Sequence, residues 1–215
     1  MSGDLFVLDG GMGRELLRIG APFQQPEWSA LALLEGPHWV SLAHQNFIAA
    51  GAQAITTNSY ALVPFHIGVE RFLARGRELA DLAGSLARQA AQDSSRPVLV
   101  AGSLPPLFGS YQPQAFDAEQ APALLAPLIE GLAPYVDFWL AETLSSLAEA
   151  RAVHQALQGD NKPRWFSFTL DDTVDLSLIL SGAQLPTLRS GESIAQAFEE
   201  IHAQGAQALI FNCCQ

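Results

Sequence analysis

Two thiols and two carboxylates hold most of the chemical potential of this sequence. Cys213 and Cys214 are adjacent and are the only cysteines among 215 residues. They therefore build no disulfide framework and are expected to be buried, reactive or metal-bound. Asp9 directly follows the apolar run at residues 5–8, and Glu142 follows Ala141 just after the run at 136–140. Two carboxylates turned toward one cation offset the cost of taking it out of water. Each also has a plainer use, Asp9 as a turn residue ahead of Gly10 and Gly11, Glu142 as a charge at a helix N-terminus. Thr57, Asn58 and Ser103 stand at similar places and are suited to ligand contacts or to capping the helices that follow, while Asn212 either orients its neighbour Cys213 or a ligand or simply ends a strand. Gly10 and Gly11 allow close backbone approach, and their N–H groups can receive a carboxylate; a tight turn needs the same residues.

The elements that would position these groups follow from periodicity. Apolar, β-rich runs at residues 5–8, 52–57, 97–101, 136–140, 164–170 and 208–212 are expected strands. Helices are expected at 37–50 with Gly51 as C-cap, 70–92, 118–132, 145–157 with Ser145 or Ser146 as N-cap, and 193–204. Pro122 and Pro127 predict a kink or break in the third of these helices. Asp9, Asn58, Ser103, Glu142, Asp171 and Cys213 all fall just past expected strand C-termini, where parallel α/β proteins keep their chemistry. Regular βα alternation with strands buried on both faces means a parallel sheet, either doubly wound or closed into a barrel.

Composition narrows the function. Hydrophobic residues are 49% and charged residues 15%, which suits a packed core and not disorder. A net charge of −11 with only 11 Lys and Arg argues against nucleic acid as a partner. No apolar run approaches the ~18–20 residues of a membrane span, and Asp4 and Asp9 bracket too short an apolar stretch for a signal peptide, so cytoplasm is expected. Gly10-Gly11-Met12-Gly13 lacks the spacing of a dinucleotide fingerprint. His38, His44, His66, His154 and His202 show no metal-ligand spacing and are expected on the surface or in packing. Phe108 and Tyr111, among Pro105, Pro106 and Pro113, either wall a pocket or belong to a stiffened loop.

Six segments in order resemble the homocysteine S-methyltransferase family. They are Leu8-Asp-Gly-Gly-Met-Gly-Arg-Glu-Leu16, the stretch from Trp28-Ser-Ala to Phe47-Ile-Ala-Ala-Gly-Ala-Gln-Ala-Ile-Thr-Thr-Asn-Ser-Tyr60, Ala101-Gly-Ser103, Val136-Asp-Phe-Trp-Leu-Ala-Glu-Thr143, Phe166-Ser-Phe168 and Phe211-Asn-Cys213. The resemblance implies a (β/α)8 TIM-type barrel, with about six βα units present in a single domain that is incomplete at its C-terminus. It implies transfer of a methyl group from a small donor to zinc-activated homocysteine, giving methionine. In this family Cys213 corresponds to a zinc ligand, and two further cysteines lie in a Gly-Gly-Cys-Cys motif that this sequence does not contain. It also implies that Asp9 and Glu142 face the substrate ammonium; beside them the Gly10 and Gly11 amides are candidates to take its carboxylate, Thr57, Asn58 and Ser103 are candidates for polar contacts, and Asn212, next to Cys213, is a candidate to orient that ligand or the substrate. If Cys213 and Cys214 are both extended they point to opposite faces, and the resemblance selects Cys213. A metal-free chain that binds homocysteine or a partner is the alternative. An unrelated α/β enzyme using an Asp9–Glu142 dyad is a third reading, whose activity would survive chelation. Open sheet edges predict further chain or a homo-oligomer to cover them.

Overall fold

Alternating apolar strands and amphipathic helices give an α/β fold, seen in a computed structural model that describes residues 5–214. In chain order the elements are α1 (Met12–Arg18), α2 (Ser29–Glu35), α3 (Pro37–Ala49), β1 (Ala54–Thr56), α4 (Pro64–Ile67), α5 (Val69–Gln92) and β2 (Leu99–Leu104). A 3-10 turn at Pro113–Ala115, α6 (Ala121–Leu132), β3 (Phe138–Leu144), α7 (Leu147–Ala156), β4 (Arg164–Phe168), α8 (Leu176–Leu180), α9 (Ile194–Ala203) and β5 (Ala208–Phe211) complete them. The strand order is that of the chain. Two compact units are present, one running through Ser103 and including Pro127–Phe138, the other Leu104–Ala126 with the residues from Trp139 onward.

In the first unit β1 pairs in parallel with β2, Ala54 opposite Leu99 and Thr56 opposite Ala101. The long helix α5 buries Phe72, Leu79, Ala80, Ala83 and Ala87, a stripe of helical spacing, and it packs against α3. Leu16, Leu33, Val40, Ile55 and Leu62 are fully buried with them. In the second unit β3, β4 and β5 pair in parallel, and Leu104, Leu125, Trp139, Phe166 and Phe168 are fully buried. The Ser146 side chain accepts from the Glu149 amide to start α7, and Ser193 with Gln196 forms a capping box at α9.

One device recurs where strands begin. Gln53 Oε1 accepts the Val7 amide at 2.8 Å, Asp137 Oδ2 the Val100 amide at 2.7 Å and Gln207 Oε1 the Arg164 amide at 2.6 Å. In return the backbone amides of Gln53, Asp137 and Gln207 donate to the carbonyls of Val7, Val100 and Arg164. Each residue stands immediately before a strand and closes a ring with the neighbouring chain, which fixes the pairing register at its first rung.

The structure corrects several expectations. Residues 5–8 make only an isolated parallel bridge, Leu8 to Ala54, and Leu5, Phe6 and Val7 are exposed. α6 continues as one helix through Pro127, although the boundary between the units falls at that residue. Pro122 sits in its first turn, where a missing N–H costs nothing. Ser103 and Glu142, expected beyond strand ends, lie inside β2 and β3. Pro105 and Pro106, not Gly102, mark the end of β2, and a bulge carries β3 on to Leu144. Cys213 has φ 51°, so the two cysteines do not sit on an extended chain and the opposite-faces argument lapses. Helices α1, α2, α4 and α8, all of seven residues or fewer, were not expected.

Candidate functional site

In the first unit the polar residues at the end of β1 are tied into their own backbone. The Asp9 carboxylate accepts the Thr56 amide at 2.6 Å and the Thr56 hydroxyl at 2.9 Å, while the Asp9 amide donates to the Ala54 carbonyl. Burial pushes the Asp9 carboxyl up to about 6, and the Thr56 bonds hold it back only in part. A Cβ on Gly10 would stand 3.0 Å from the Phe47 ring, which would have to give by a few tenths of an ångström to admit one; Gly11 is open on that side and precedes α1. Thr57 Oγ1 lies 2.9 Å from Ser59 Oγ and accepts the Ser103 amide at 3.0 Å, and Ser59 Oγ donates to the Ser103 carbonyl at 2.8 Å. Ser103 is fully buried. Asn58 is also buried; its Nδ2 donates to the Ser29 carbonyl, while its Oδ1 has no partner.

In the second unit three strand ends are cross-linked by one amide. Ser167 of β4 donates to Asn212 Oδ1 at 2.9 Å, and Asn212 Nδ2 donates to Thr143 Oγ1 of β3 at 2.9 Å. The same Nδ2 is 3.6 Å from the Cys213 sulfur, at the end of β5. Ala141 pairs with Phe166 and Leu144 with Phe168, so Glu142 and Thr143 together oppose the single residue Ser167. Thr143 adopts φ 61° to make this bulge, a region that β-branched residues avoid. Glu142 is half-buried on the bulge and engaged in interactions of its own.

An aromatic residue completes this side. Burial first, then the charge of the Cys213 sulfur, push the Tyr111 phenol up to about 12. Arg189 lies 4.7 Å above the Tyr111 ring, donates to Thr169 Oγ1 at 3.1 Å and pairs with Asp172 at 2.5 Å. Sequence reasoning missed Arg189, Thr169 and Asp172, which carry no spacing signal. Thr143 and Ser167 were within the quoted segments but had no assigned role.

Cys213 is exposed and Cys214 is half-buried; both are free thiols. Among the described residues, however, no three His, Cys, Asp or Glu side chains come together as a metal-binding group. One thiolate does not make a zinc site, so this length of chain does not by itself fit the metal. None of the five histidines joins such a group, and His44 is wholly buried in packing.

A family model described as homocysteine S-methyltransferase matches residues 6–215. The chain belongs to that family. Homocysteine S-methyltransferase of Escherichia coli (strain K12) is 33% identical over 200 residues, covering 81% of this chain and 61% of that protein. Selenocysteine Se-methyltransferase of Brassica oleracea var. italica is 29% identical, covering 95% and 65%. The metallated crystal form of the homocysteine methyltransferase MmuM from Escherichia coli superposes with a TM-score of 0.80 at 28% identity, over 99% of this chain and 75% of that one. The fold is thus that of a homocysteine S-methyltransferase barrel. The chain spans 61–65% of the first two curated relatives. Within this family frame, Asp9 opens the matched region beside Gly10 and Gly11, and Asn212 and Cys213 close it.

Proposed function

We propose that the protein containing this chain is a homocysteine S-methyltransferase, carrying a methyl group from a small sulfonium, ammonium or folate donor to homocysteine to give methionine. The homocysteine sulfur forms the new S–CH3 bond, the donor heteroatom leaves with the bonding pair, and the thiol proton goes to solvent. The observation that carries this reading is the Asn212–Cys213 pair held at the end of β5 in a chain that matches the family over residues 6–215. Asp9 and Glu142 bind the substrate ammonium, the Gly10 and Gly11 amides take its carboxylate, and Asn58, Ser103 and Asn212 supply polar contacts. Asn212 does so by fixing the Cys213 side. We assign Cys213 as one ligand of a zinc ion whose two further thiolates are not among these 215 residues. The protein is further proposed to be a single barrel domain, cytoplasmic, and able to self-associate where its sheet edges are open. The reading is tested by supplying the full-length protein with homocysteine and each donor class. Methionine formed with one class is expected; none with any rejects the proposal.

The lack of a three-donor group among the described residues favours a second reading for the 215-residue chain alone. It would be a metal-free part of the barrel that binds homocysteine or a partner without catalysis. Zinc-dependent turnover by this polypeptide excludes that reading.

A further inference from the structure

The bulge in β3 places two polar residues, Glu142 and Thr143, opposite the one position Ser167. Such an insertion re-aims a side chain, and it is costly when the extra residue is β-branched and left-handed, as Thr143 is at φ 61°. A strained conformation persists only where its surroundings over-determine it, and here the surroundings are visible. Thr143 is 1% exposed, and its Oγ1 receives the Asn212 amide at 2.9 Å. The opposite side of that amide is fixed by Ser167 Oγ, also at 2.9 Å. Just after Thr143, the Leu144 carbonyl accepts the Thr169 amide at 2.8 Å, which re-joins β3 to its neighbour. Thr143 is thus held from both flanks, and Glu142 is the residue whose direction that holding decides.

We infer that Thr143 is a positioning residue for the ammonium end of the substrate: its hydroxyl, latched by Asn212 and through it by Ser167, keeps the bulge that aims Glu142. This rests on the proposed homocysteine reading and adds to it a residue that touches no substrate. The amide of Asn212 then serves both ends of the substrate, Glu142 through Thr143 and the thiol end through Cys213.

The test is calorimetric titration of the full-length protein with L-homocysteine and with 4-mercaptobutanoate, which keeps the thiol and carboxylate but lacks the amino group. Thr143→Val keeps the shape and removes the acceptor; Thr143→Ser keeps the acceptor. Thr143→Val is expected to weaken homocysteine about tenfold, the usual consequence of a buried donor left unpaired, while moving 4-mercaptobutanoate about twofold or less. Thr143→Ser is expected to stay within about twofold of wild type for both. Ser167→Ala, which frees the amide from its other side, should follow Thr143→Val more weakly and covers the case in which that variant does not fold. Equal losses for the two ligands, or none for homocysteine, would overturn the inference alone. Wild-type full-length protein that binds neither ligand overturns the homocysteine reading and the inference with it.

Discussion

The polar residues of the two units are held in opposite ways. In the first unit, the Asp9, Thr57 and Ser59 side chains bond to backbone groups beside them, Asp9 to the Thr56 amide, Thr57 to the Ser103 amide and Ser59 to the Ser103 carbonyl. In the second, Thr143, Ser167 and Asn212 are joined side chain to side chain across three strand ends, with the Cys213 sulfur beside the same amide. Of the four described non-glycine residues with positive φ, Trp28 lies in the first unit while Tyr111, Thr143 and Cys213 lie in the second. Backbone anchoring makes a robust mount whose cost is electrostatic, since it buries a carboxylate. Side-chain anchoring buys angular control over Glu142 and Cys213 at the cost of backbone strain.

This contrast breaks first at Cys213. Cys213→Ser in the full-length protein is expected to lower methyl transfer by more than the roughly 10- to 100-fold typical of groups that merely support a ligand; an assay showing near-normal turnover removes Cys213 from the chemistry. Next come the carboxylates. Asp9→Asn and Glu142→Gln are each expected to weaken homocysteine about 10- to 100-fold, the range of a charge-assisted bond, read by titration calorimetry. For Asp9 the binding should also decline as pH falls through about 6, where its carboxyl takes up a proton.

Stability against pH sharpens the electrostatic side of the comparison. Asp9 has a folded pKa of about 6, above its ordinary 3.8. The folded state then binds the extra proton between those values, so this group favours folding at low pH and loses about 3 kcal/mol as pH rises through 6. His44, wholly buried without a partner for either ring nitrogen, is pushed by burial from 6.5 down to about 4. Here the unfolded state binds the extra proton, so stability is present above 6.5 and about 3 kcal/mol is lost as pH falls toward 4. The two slopes oppose each other in wild type. Urea titrations from pH 4 to 7 should therefore show Asp9→Asn losing stability toward acid and His44→Leu gaining it; parallel profiles for the two variants would contradict both assignments. The smallest effect is expected in the second unit, where Ser193→Ala removes the α9 cap and costs about 1 kcal/mol in thermal or urea unfolding.

Much of this fold is legible in the sequence because its long elements are strongly periodic. The helix expected at 70–92 is α5, Val69–Gln92, and the strand expected at 208–212 is β5, Ala208–Phe211. Short helices such as α8, Leu176–Leu180, have too few turns to show a period. Residues 5–8 are apolar enough for a strand, yet a strand also needs partners, and only Leu8 forms a bridge. At the candidate site, the types and positions of Asp9, Glu142, Asn212 and Cys213 could be read off, because each follows an apolar run. The bulge could not, since nothing in Ala141-Glu142-Thr143-Leu144 announces a threonine at φ 61°. Its cause lies about 70 residues away at Asn212, and a bond of that span has no local signature.

The rings closed by Gln53, Asp137 and Gln207 have a consequence for how such a chain can be assembled. They fall at the entry of β1, β3 and β5, each holding the chain segment that precedes it in sheet order: Val7, Val100 and Arg164. The interval is therefore two strands, not one. Register is thus pinned by a side chain once in every two strands, and the joints between, β1 to β2 and β3 to β4, are left to the ladder itself. Slippage of one strand past its neighbour would therefore begin at those two joints and not at the three ringed ones.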